Sequence, residues 1–255
     1  MNIAIVTGAS SGLGAEYVRQ LDACESFDEI WVIARRRERL TALQKDVVTA
    51  LRPLALDLTR PESIRELEVL LKDKKPNVRM LVNNAGFGKI GSYRHIPLEQ
   101  CERMIDLNCR AAVSVTQTVL PFMHRGARIL EICSTAAFQP FPYLNVYSAT
   151  KAFLYRYSRA LGRELAGTGI RVTAVCPFWI RGTEFISSAK KTDGSGQVNN
   201  FALSSRREDV VRHSLKDSKK GRAVSTPGFV CTLHRILAGL VPDSLLMAAW
   251  NLLRR

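Results

Sequence analysis

Two side chains that can exchange protons, Tyr147 and Lys151, lie four residues apart in the sequence. On a helix, residues at this spacing project from the same face. A free tyrosine has a pKa of about 10 and donates its proton reluctantly near neutral pH, but an adjacent ammonium group favours the phenolate and lowers that pKa. The pair is therefore a candidate general acid and base. An ordinary pair on a helix surface would show the same spacing.

A serine precedes this pair at the end of an apolar segment. Ser134 follows the fifth predicted strand, at the carboxyl edge where doubly wound sheets place their ligands. A hydroxyl there can orient and polarise an oxygen atom that gains charge during a reaction. On its own, Ser134 is explained equally well as a turn hydroxyl.

A glycine-rich segment follows the first predicted strand and opens the first predicted helix. Glycines let the main chain turn tightly and approach a pyrophosphate, while the helix N-terminus offers free N–H groups. A tight turn alone would explain three glycines, but the strand–turn–helix context favours dinucleotide binding. The candidate cofactor contacts here are Thr7, Gly8, Ser10, Ser11, Gly12, Leu13 and Gly14.

The combination of these motifs resembles the short-chain dehydrogenase/reductase family. The glycine spacing at 7–14 is Thr-Gly-x-x-x-Gly-x-Gly, and Ser134, Tyr147 and Lys151 follow the family's Ser…Tyr-x-x-x-Lys order. The resemblance covers residues 2–185. It implies a Rossmann-type fold and hydride transfer between a nicotinamide cofactor and a carbonyl or alcohol.

The resemblance also implies a role for each catalytic candidate. Hydride transfer to a carbonyl carbon builds negative charge on oxygen, which must be stabilised and protonated. Tyr147 would be general acid in reduction and general base in oxidation, and Ser134 would polarise the carbonyl. Lys151 would lower the tyrosine pKa and hydrogen-bond the nicotinamide ribose. Asn108, otherwise explained as a helix kink, would support a water that relays protons to Lys151.

Two arginines at the end of the second predicted strand favour NADP(H) over NAD(H). An NAD-binding protein would place an acid there, whereas Arg35 and Arg36 can grip a 2′-phosphate through bidentate hydrogen bonds. Alternatively, these arginines begin an exposed basic helix. By resemblance, Asp57 and Leu58 flank the adenine.

The segment after the fourth predicted strand also lines the cofactor pocket by resemblance, through Asn84, Ala85 and Gly86. Without the resemblance, Asn-Ala-Gly after a strand is simply a turn.

The chain departs from the family pattern after the sixth predicted strand. Pro177 is followed by Phe178 where the family usually has glycine, and Gly182 is one residue extra before Thr183. By resemblance, Pro177 and Thr183 are expected to contact the cofactor. Thr183 would contact the carboxamide group of the nicotinamide.

Large apolar side chains occur in the segments that are expected to lie over the active site. Ligand pockets are mostly apolar with few polar anchors, so a hydrophobic ketone or alcohol is the expected substrate. An ordinary core role explains some of these side chains equally well. The candidate pocket residues are Phe87, Phe138, Tyr143, Phe178 and Trp179.

The elements that would position these residues alternate along the chain. Seven strands separated by helices predict a doubly wound (Rossmann-type) α/β fold, with a seven-stranded parallel sheet and helices on both faces. The strands are predicted at 2–7, 29–35, 51–57, 79–82, 128–133, 171–176 and 222–225. The helices are predicted at 13–24, 36–46, 61–74, 97–123, 146–167 and 206–218.

Residues 1–255 are predicted to form a single domain with two distinctive segments. Residues 186–205 have turn chemistry and no periodicity, which predicts a lid or substrate loop. Residues 227–255 carry apolar residues at helical spacing and predict a helical extension. Such a stripe most often packs on its own domain or on a partner subunit; peripheral membrane contact is the minority alternative.

Composition narrows the classes of protein and of binding partner that remain possible. The chain is 46% hydrophobic with a formal net charge of +14, and its apolar runs are too short to cross a bilayer. No nucleic-acid motif accompanies the positive charge, so no nucleic-acid partner is expected. The six scattered cysteines and the absence of ligand spacing predict no metal site. The lack of a leader pattern predicts a cytoplasmic protein.

The sequence therefore predicts an NADP(H)-dependent oxidoreductase that interconverts a carbonyl and a secondary alcohol on a hydrophobic small molecule. The alternative is a non-catalytic dinucleotide-binding regulatory or membrane-associated protein of the same fold. From the family, a homodimer through the helices at 97–123 and 146–167 is expected.

Overall fold

The computed structural model describes residues 1–193, 195–201 and 203–254, in which strands and helices alternate. In chain order the elements are β1 (Asn2–Thr7), α1 (Gly12–Cys24), β2 (Glu29–Ile33), α2 (Arg37–Ala42), β3 (Ala50–Leu54), α3 (Pro61–Lys74), β4 (Asn77–Asn83), α4 (Leu98–Ile105), α5 (Ala112–Val119), β5 (Arg128–Ile132), α6 (Asn145–Glu164), β6 (Arg171–Val175), β7 (Ile180–Arg181), α7 (Glu184–Ala189), β8 (Ser205–Arg206), α8 (Arg207–Lys219), β9 (Val224–Ser225), α9 (Phe229–Leu240) and α10 (Asp243–Leu253).

The main sheet has seven strands in the order β3-β2-β1-β4-β5-β6-β9. Every strand pairs parallel to its neighbours. The predicted seven-stranded parallel sheet is confirmed. The strand order reverses between β1 and β4, and doubly wound sheets bind ligands in the crevice beyond the strand ends at such a point.

Both faces of the sheet are covered by helices. Ile3 and Ile5 of β1 pack in one buried cluster with residues of α3, α5 and α6. Ala4 and Val6 point to the other face and pack with residues of α1 and α8. Successive side chains alternate between the two faces, so a strand covered on both sides needs apolar residues at nearly every position.

The helix predicted at 97–123 is interrupted. Between α4 and α5, residues Asp106–Ala111 form a π-helical turn, and Leu120–Phe122 form a short 3₁₀ turn. A π turn adds one residue to a helical turn and often occurs at functional sites. The spacing of the apolar residues does not reveal this π turn, because the helix packs against the core both before it and after it.

The segment predicted as an irregular lid at 186–205 contains regular structure. Residues up to Ala189 belong to α7, Ser195–Gln197 form a 3₁₀ turn, and β8 pairs with β7 in a second, two-stranded sheet. These elements are too short to produce a periodic signal. Gly194 and Ala202 lie outside the described residues.

The predicted C-terminal extension contains α9 and α10, and Arg255 lies outside the described residues. Most of its apolar stripe does not pack on its own domain, since Leu233 and Leu240 are 41% and 78% exposed. Trp250 and the Arg254 side chain are buried and hold α10 against the domain. Among the described residues, no helix is both long and apolar enough to cross a bilayer.

Candidate active site

Tyr147 and Lys151 lie on one face of α6 and are both buried, 7% and 5% exposed. The Lys151 Nζ donates a 2.7 Å hydrogen bond to the main-chain oxygen of Ile132, the last residue of β5. The same Nζ lies 5.9 Å from the centroid of the Tyr147 ring. The helix thus fixes both side chains against the carboxyl end of β5.

Ser134 lies two residues beyond β5 and caps a 3₁₀ turn. Its Oγ accepts a 3.1 Å hydrogen bond from the Ala136 N–H and donates a 3.4 Å hydrogen bond to the Pro177 oxygen. It is also a hydrogen-bond partner of the Tyr147 side chain. The serine hydroxyl and the phenol therefore face the same point in the cavity.

Asn108 lies in the π turn and is fully buried. Its Oδ1 accepts from the Phe87 N–H at 3.0 Å, and its Nδ2 donates to the Phe87 oxygen at 2.9 Å and to the Thr150 Oγ1 at 3.0 Å. The Thr150 hydroxyl in turn donates to the Tyr147 main-chain oxygen at 2.8 Å. Asn108 thus joins the loop after β4 to the helix that carries the tyrosine.

The pKa of Tyr147 is governed mainly by the burial of its phenol. Burial raises it well above its usual range, and the hydrogen bond with Ser134 offsets this only in part. Burial also lowers the pKa of Lys151. Desolvation of the buried phenol is the dominant effect here, whereas the sequence-based expectation concerned the phenol beside Lys151 and a bound oxidised nicotinamide.

The glycine loop places its main chain in close contact with the loop after β4. Gly8 and Gly12 have φ of +65° and +58°, a conformation that side chains disfavour. A Cβ on Gly14 would lie 2.3 Å from the Gly8 oxygen. The Asn84 side chain closes this turn from the other side by donating to the main-chain oxygens of Thr7 and Gly8.

Thr7 lies one layer behind this loop. Its Oγ1 accepts 2.9 Å hydrogen bonds from the Asn84 and Ala85 N–H groups. The first turn of α1 begins after Ser11 without a side-chain cap, which leaves N–H groups directed at the crevice. A glycine-rich turn beside an uncapped helix N-terminus fits a dinucleotide pyrophosphate.

These groups surround one continuous cavity of about 500 Å³. Its lining joins the glycine loop to the catalytic candidates and to apolar side chains above them. From the predicted cofactor set it includes Gly8, Ser10, Ser11, Gly12, Leu13, Arg35, Arg36, Asp57, Leu58, Asn84, Ala85, Gly86, Tyr147, Lys151, Pro177 and Thr183.

Arg36 and Asp57 make the main polar contacts at the adenosine end of the cavity. The Arg36 Nη2 donates to the hydroxyls of Ser10 and Ser11 at 3.1 and 3.2 Å. Burial raises the pKa of Asp57, but hydrogen bonds from Thr59 and the charge of Arg35 outweigh it, so that pKa is lowered. This end of the cavity thus contains cationic groups and hydroxyl donors suited to binding an anionic group.

Three of the predicted pocket residues, Phe87, Phe178 and Trp179, line the cavity. The other two are placed elsewhere, which corrects the prediction. The Phe138 ring packs edge-on against Tyr155, with centroids 5.5 Å apart. Tyr143 adopts a φ of +69° and its ring packs under the Arg254 guanidinium at 4.2 Å.

Several lining residues were not predicted from the sequence, and Glu184 and Trp250 are two of them. Glu184 opens α7 and pairs with arginines near the glycine loop, and Trp250 of α10 donates a 3.0 Å hydrogen bond to the Pro142 oxygen. Their only sequence signals were a lone acid and one aromatic in an apolar stripe. Among the described residues, no three or more His, Cys, Asp or Glu side chains form a cluster suited to a metal ion.

Comparison with known proteins agrees with this geometry. The family model described as short chain dehydrogenase matches residues 2–194. The NADP-dependent 3-hydroxy acid dehydrogenase YdfG of Salmonella typhi is 36% identical over 217 residues, covering 82% of this chain and 86% of the relative.

Two solved structures extend the comparison. A short-chain dehydrogenase from Sphingobium yanoikuyae in complex with NADPH has a TM-score of 0.77 and 29% identity, covering 99% of this chain and 95% of that one. A serine dehydrogenase complexed with NADP+ has a TM-score of 0.69 and 33% identity, covering 82% and 86%. The chain belongs to the short-chain dehydrogenase/reductase family, whose members are oxidoreductases acting on CH–OH and C=O groups with a nicotinamide cofactor.

Proposed function

We propose that the protein interconverts a carbonyl and a secondary alcohol on a hydrophobic small molecule, with NADP(H) as cofactor. The observation that carries this proposal is the convergence of Ser134, Tyr147 and Lys151 on one cavity that also contains the glycine loop and Arg36. The NADP-dependent relative and the neighbours solved with NADPH or NADP+ support the choice of cofactor.

Each catalytic side chain has a distinct task in this proposal. Bound NADPH supplies the hydride. The Ser134 hydroxyl and the Tyr147 phenol hydrogen-bond the substrate oxygen, where negative charge develops. A tyrosine is ordinarily protonated at neutral pH and burial favours that form further, so Tyr147 can protonate this oxygen during reduction. Lys151 holds the nicotinamide ribose, and Asn108 holds the loop after β4 beside α6.

The lining of the cavity supports an apolar substrate. Phe141, Phe185 and Trp250 join the predicted aromatics around Tyr147, and few polar anchors lie near them. Lys89 and Arg103 also line the cavity, which favours a second substrate class, hydroxy acids with a carboxylate. The named activity of the Salmonella relative is on a 3-hydroxy acid.

Turnover by purified protein tests the proposal. Ketones and their 3-keto acid counterparts are assayed with NADPH, and cofactor binding is followed separately by quenching of tryptophan fluorescence. We expect Tyr147→Phe to lower kcat/KM by about 10²–10⁴-fold while NADPH binding changes less than roughly threefold.

Tyr143→Phe is the matched control, because that phenol lies outside the cavity lining, and it should retain activity. A wild type that binds NADPH but turns over no compound in the panel would favour the non-catalytic alternative. A preference for keto acids that disappears in Lys89→Met would assign the second substrate class.

The cofactor preference has its own test. Arg35 lines the cavity beside Asp57, and replacing its guanidinium with a carboxylate places a negative charge near the expected 2′-phosphate. We expect Arg35→Asp to weaken NADPH binding at least tenfold more than NADH binding, a difference of about 1.4 kcal/mol. Equal losses for the two cofactors would contradict the phosphate assignment.

We also propose that the protein works in the cytoplasm as a homodimer. All six cysteines are free, which fits a reducing compartment. The helices α4 and α6 expose apolar side chains, including Ile105 and Phe153, that a second copy would cover.

A further inference from the structure

Arg36 of the cavity lining and Arg39 of the adjoining helix α2 converge on one carboxylate. The Arg36 Nη2 lies 3.0 Å from the Glu184 Oε2, and the Arg39 Nη1 lies 2.5 Å from the Glu184 Oε1. The guanidiniums come from the N-terminal end of α2 and the carboxylate from the first residue of α7. These contacts join segments about 145 residues apart in the sequence.

The surroundings of Arg36 already contain the types of group that bind a phosphate. The Arg36 Nη2 that contacts Glu184 also donates to Ser10 and Ser11 of the glycine loop. Hydrogen bonds from Arg39 and Arg36 lower the pKa of Glu184 to about 2, so it is an anion at neutral pH. Two guanidiniums therefore bind an anion that the chain itself supplies, and one of them also contacts two hydroxyls of the glycine loop.

The helix that begins at Glu184 reaches the catalytic tyrosine. The ring of Phe185, the next residue, packs against Tyr147 with centroids 5.4 Å apart. The far end of α7 is held by the loop after β4, where the Lys89 Nζ donates to the Ser188 oxygen at 3.1 Å and the Ile90 N–H to the Ala189 oxygen at 3.0 Å. The position of α7 is thus linked at one end to the arginines and along its length to the active site.

We propose that Glu184 competes with the cofactor's 2′-phosphate for Arg36 and Arg39, so that NADP(H), but not NAD(H), releases the start of α7 from the arginines. This inference rests on the proposed use of NADP(H). A phosphate monoester carries a charge of about −1.5 to −2 and accepts bidentate hydrogen bonds, so it displaces a single carboxylate from the same guanidiniums. Glu184 and Arg39 would then help to set cofactor specificity.

Nucleotides that lack nicotinamide isolate this competition from catalysis. Adenosine 2′,5′-bisphosphate carries the 2′-phosphate and 5′-AMP does not, and both are titrated calorimetrically into wild type and Glu184→Gln. We expect Glu184→Gln to bind the bisphosphate roughly three- to tenfold more tightly, since exposed ion pairs contribute about 0.2–1 kcal/mol each. Binding of 5′-AMP should change less than about twofold.

Glu38→Gln provides the matched control. Glu38 is exposed on α2 between the two arginines in sequence, so this variant removes one negative charge close to Arg39 without touching α7. It should leave the affinity for both nucleotides within about twofold of wild type. Arg39→Gln should weaken bisphosphate binding and spare 5′-AMP.

Hydrogen exchange supplies a readout of α7 itself. In wild type, the bisphosphate should increase exchange of the amides at 188–190, which are hydrogen-bonded at the end of α7, and 5′-AMP should not. In Glu184→Gln the exchange should already be fast and should not respond to the bisphosphate.

Unchanged bisphosphate binding by Glu184→Gln would overturn the inference, because the carboxylate would then have no effect on the phosphate site. Weaker binding would also overturn it, because the carboxylate would then hold the arginines in position for the cofactor. Failure of the proposed cofactor looks different: wild type would bind the bisphosphate no more tightly than 5′-AMP. That result would overturn both proposals.

Discussion

At the scale of single residues, Glu131 is a carboxyl group buried in β5 below the active-site end of the sheet. Its Oε1 accepts from the Thr116 hydroxyl at 2.7 Å and from the Asn83 Nδ2 at 3.3 Å, while its Oε2 has no hydrogen-bond partner among the described residues. Burial raises the pKa of Glu131 to about 7, despite the opposing hydrogen bonds from Thr116 and Asn83. The folded protein therefore retains this proton at pH values where the unfolded chain has lost it.

This raised pKa predicts a pH dependence of stability. The stabilisation from protonated Glu131 is fully present below the unfolded pKa of about 4.5 and is lost as the pH rises through about 7. Glu131→Gln mimics the protonated form and removes this loss. We expect the variant to gain about 3 kcal/mol of unfolding free energy relative to wild type between pH 4.5 and 8.5, measured by urea denaturation.

Glu66→Gln serves as the control, since Glu66 is an exposed carboxyl group on α3. It should follow the wild-type pH profile. Parallel profiles for wild type and Glu131→Gln would show that the buried group does not titrate in this range.

At the scale of elements, the turn from β1 into α1 depends on Gly14. Alanine there would place its Cβ 2.3 Å from the Gly8 oxygen and 2.7 Å from the Asn84 Nδ2, so main chain must move. We expect Gly14→Ala to lower the unfolding free energy by about 1–3 kcal/mol, as overpacking does, and to weaken NADPH binding more than roughly tenfold. Thermal melts and fluorescence quenching measure the two effects.

Gly239→Ala is the contrasting variant. Gly239 lies in α9 with no atom within 4 Å of its added Cβ. Alanine there should stabilise the protein by about 0.5–1 kcal/mol through helix propensity alone and leave NADPH binding unchanged. If both substitutions have the same effect, the close approach of the Gly8 main chain is not what requires glycine at position 14.

Elements with a strong local pattern were predicted well and those without one were not. The helix α3 begins and ends where the sequence predicted, at 61 and 74, because Pro61 starts it and an apolar face runs along it. The π turn around Asn108 was missed because its side chain bonds to the Phe87 main chain, 21 residues away in sequence. Local periodicity carries no record of such a contact.

At the scale of the whole molecule, two exposed apolar surfaces compete as contacts for a second copy. Ile105 on α4 and Phe153 on α6 are 50% and 48% exposed, and the stripe of α9 includes the exposed Leu240. We expect sedimentation velocity to show a dimer for wild type and a monomer for Phe153→Glu, because an unpaired buried charge is costly at an interface. Leu240→Glu should remain a dimer. The reverse pattern would place the interface on the C-terminal helices.

The sequence by itself determined the alternation of strands and helices, the glycine loop and the Tyr147–Lys151 pair, because each depends on spacing along a short stretch of chain. Ser134 and Asn108 were added by resemblance to the family. The tertiary structure decided which distant groups share the cavity. Trp250 contacts the main chain of Pro142, 108 residues away, and Glu184 contacts Arg36, 148 residues away. Such pairs depend on how helices pack across the sheet edge, and packing is set by the shape of the whole fold rather than by neighbouring residues.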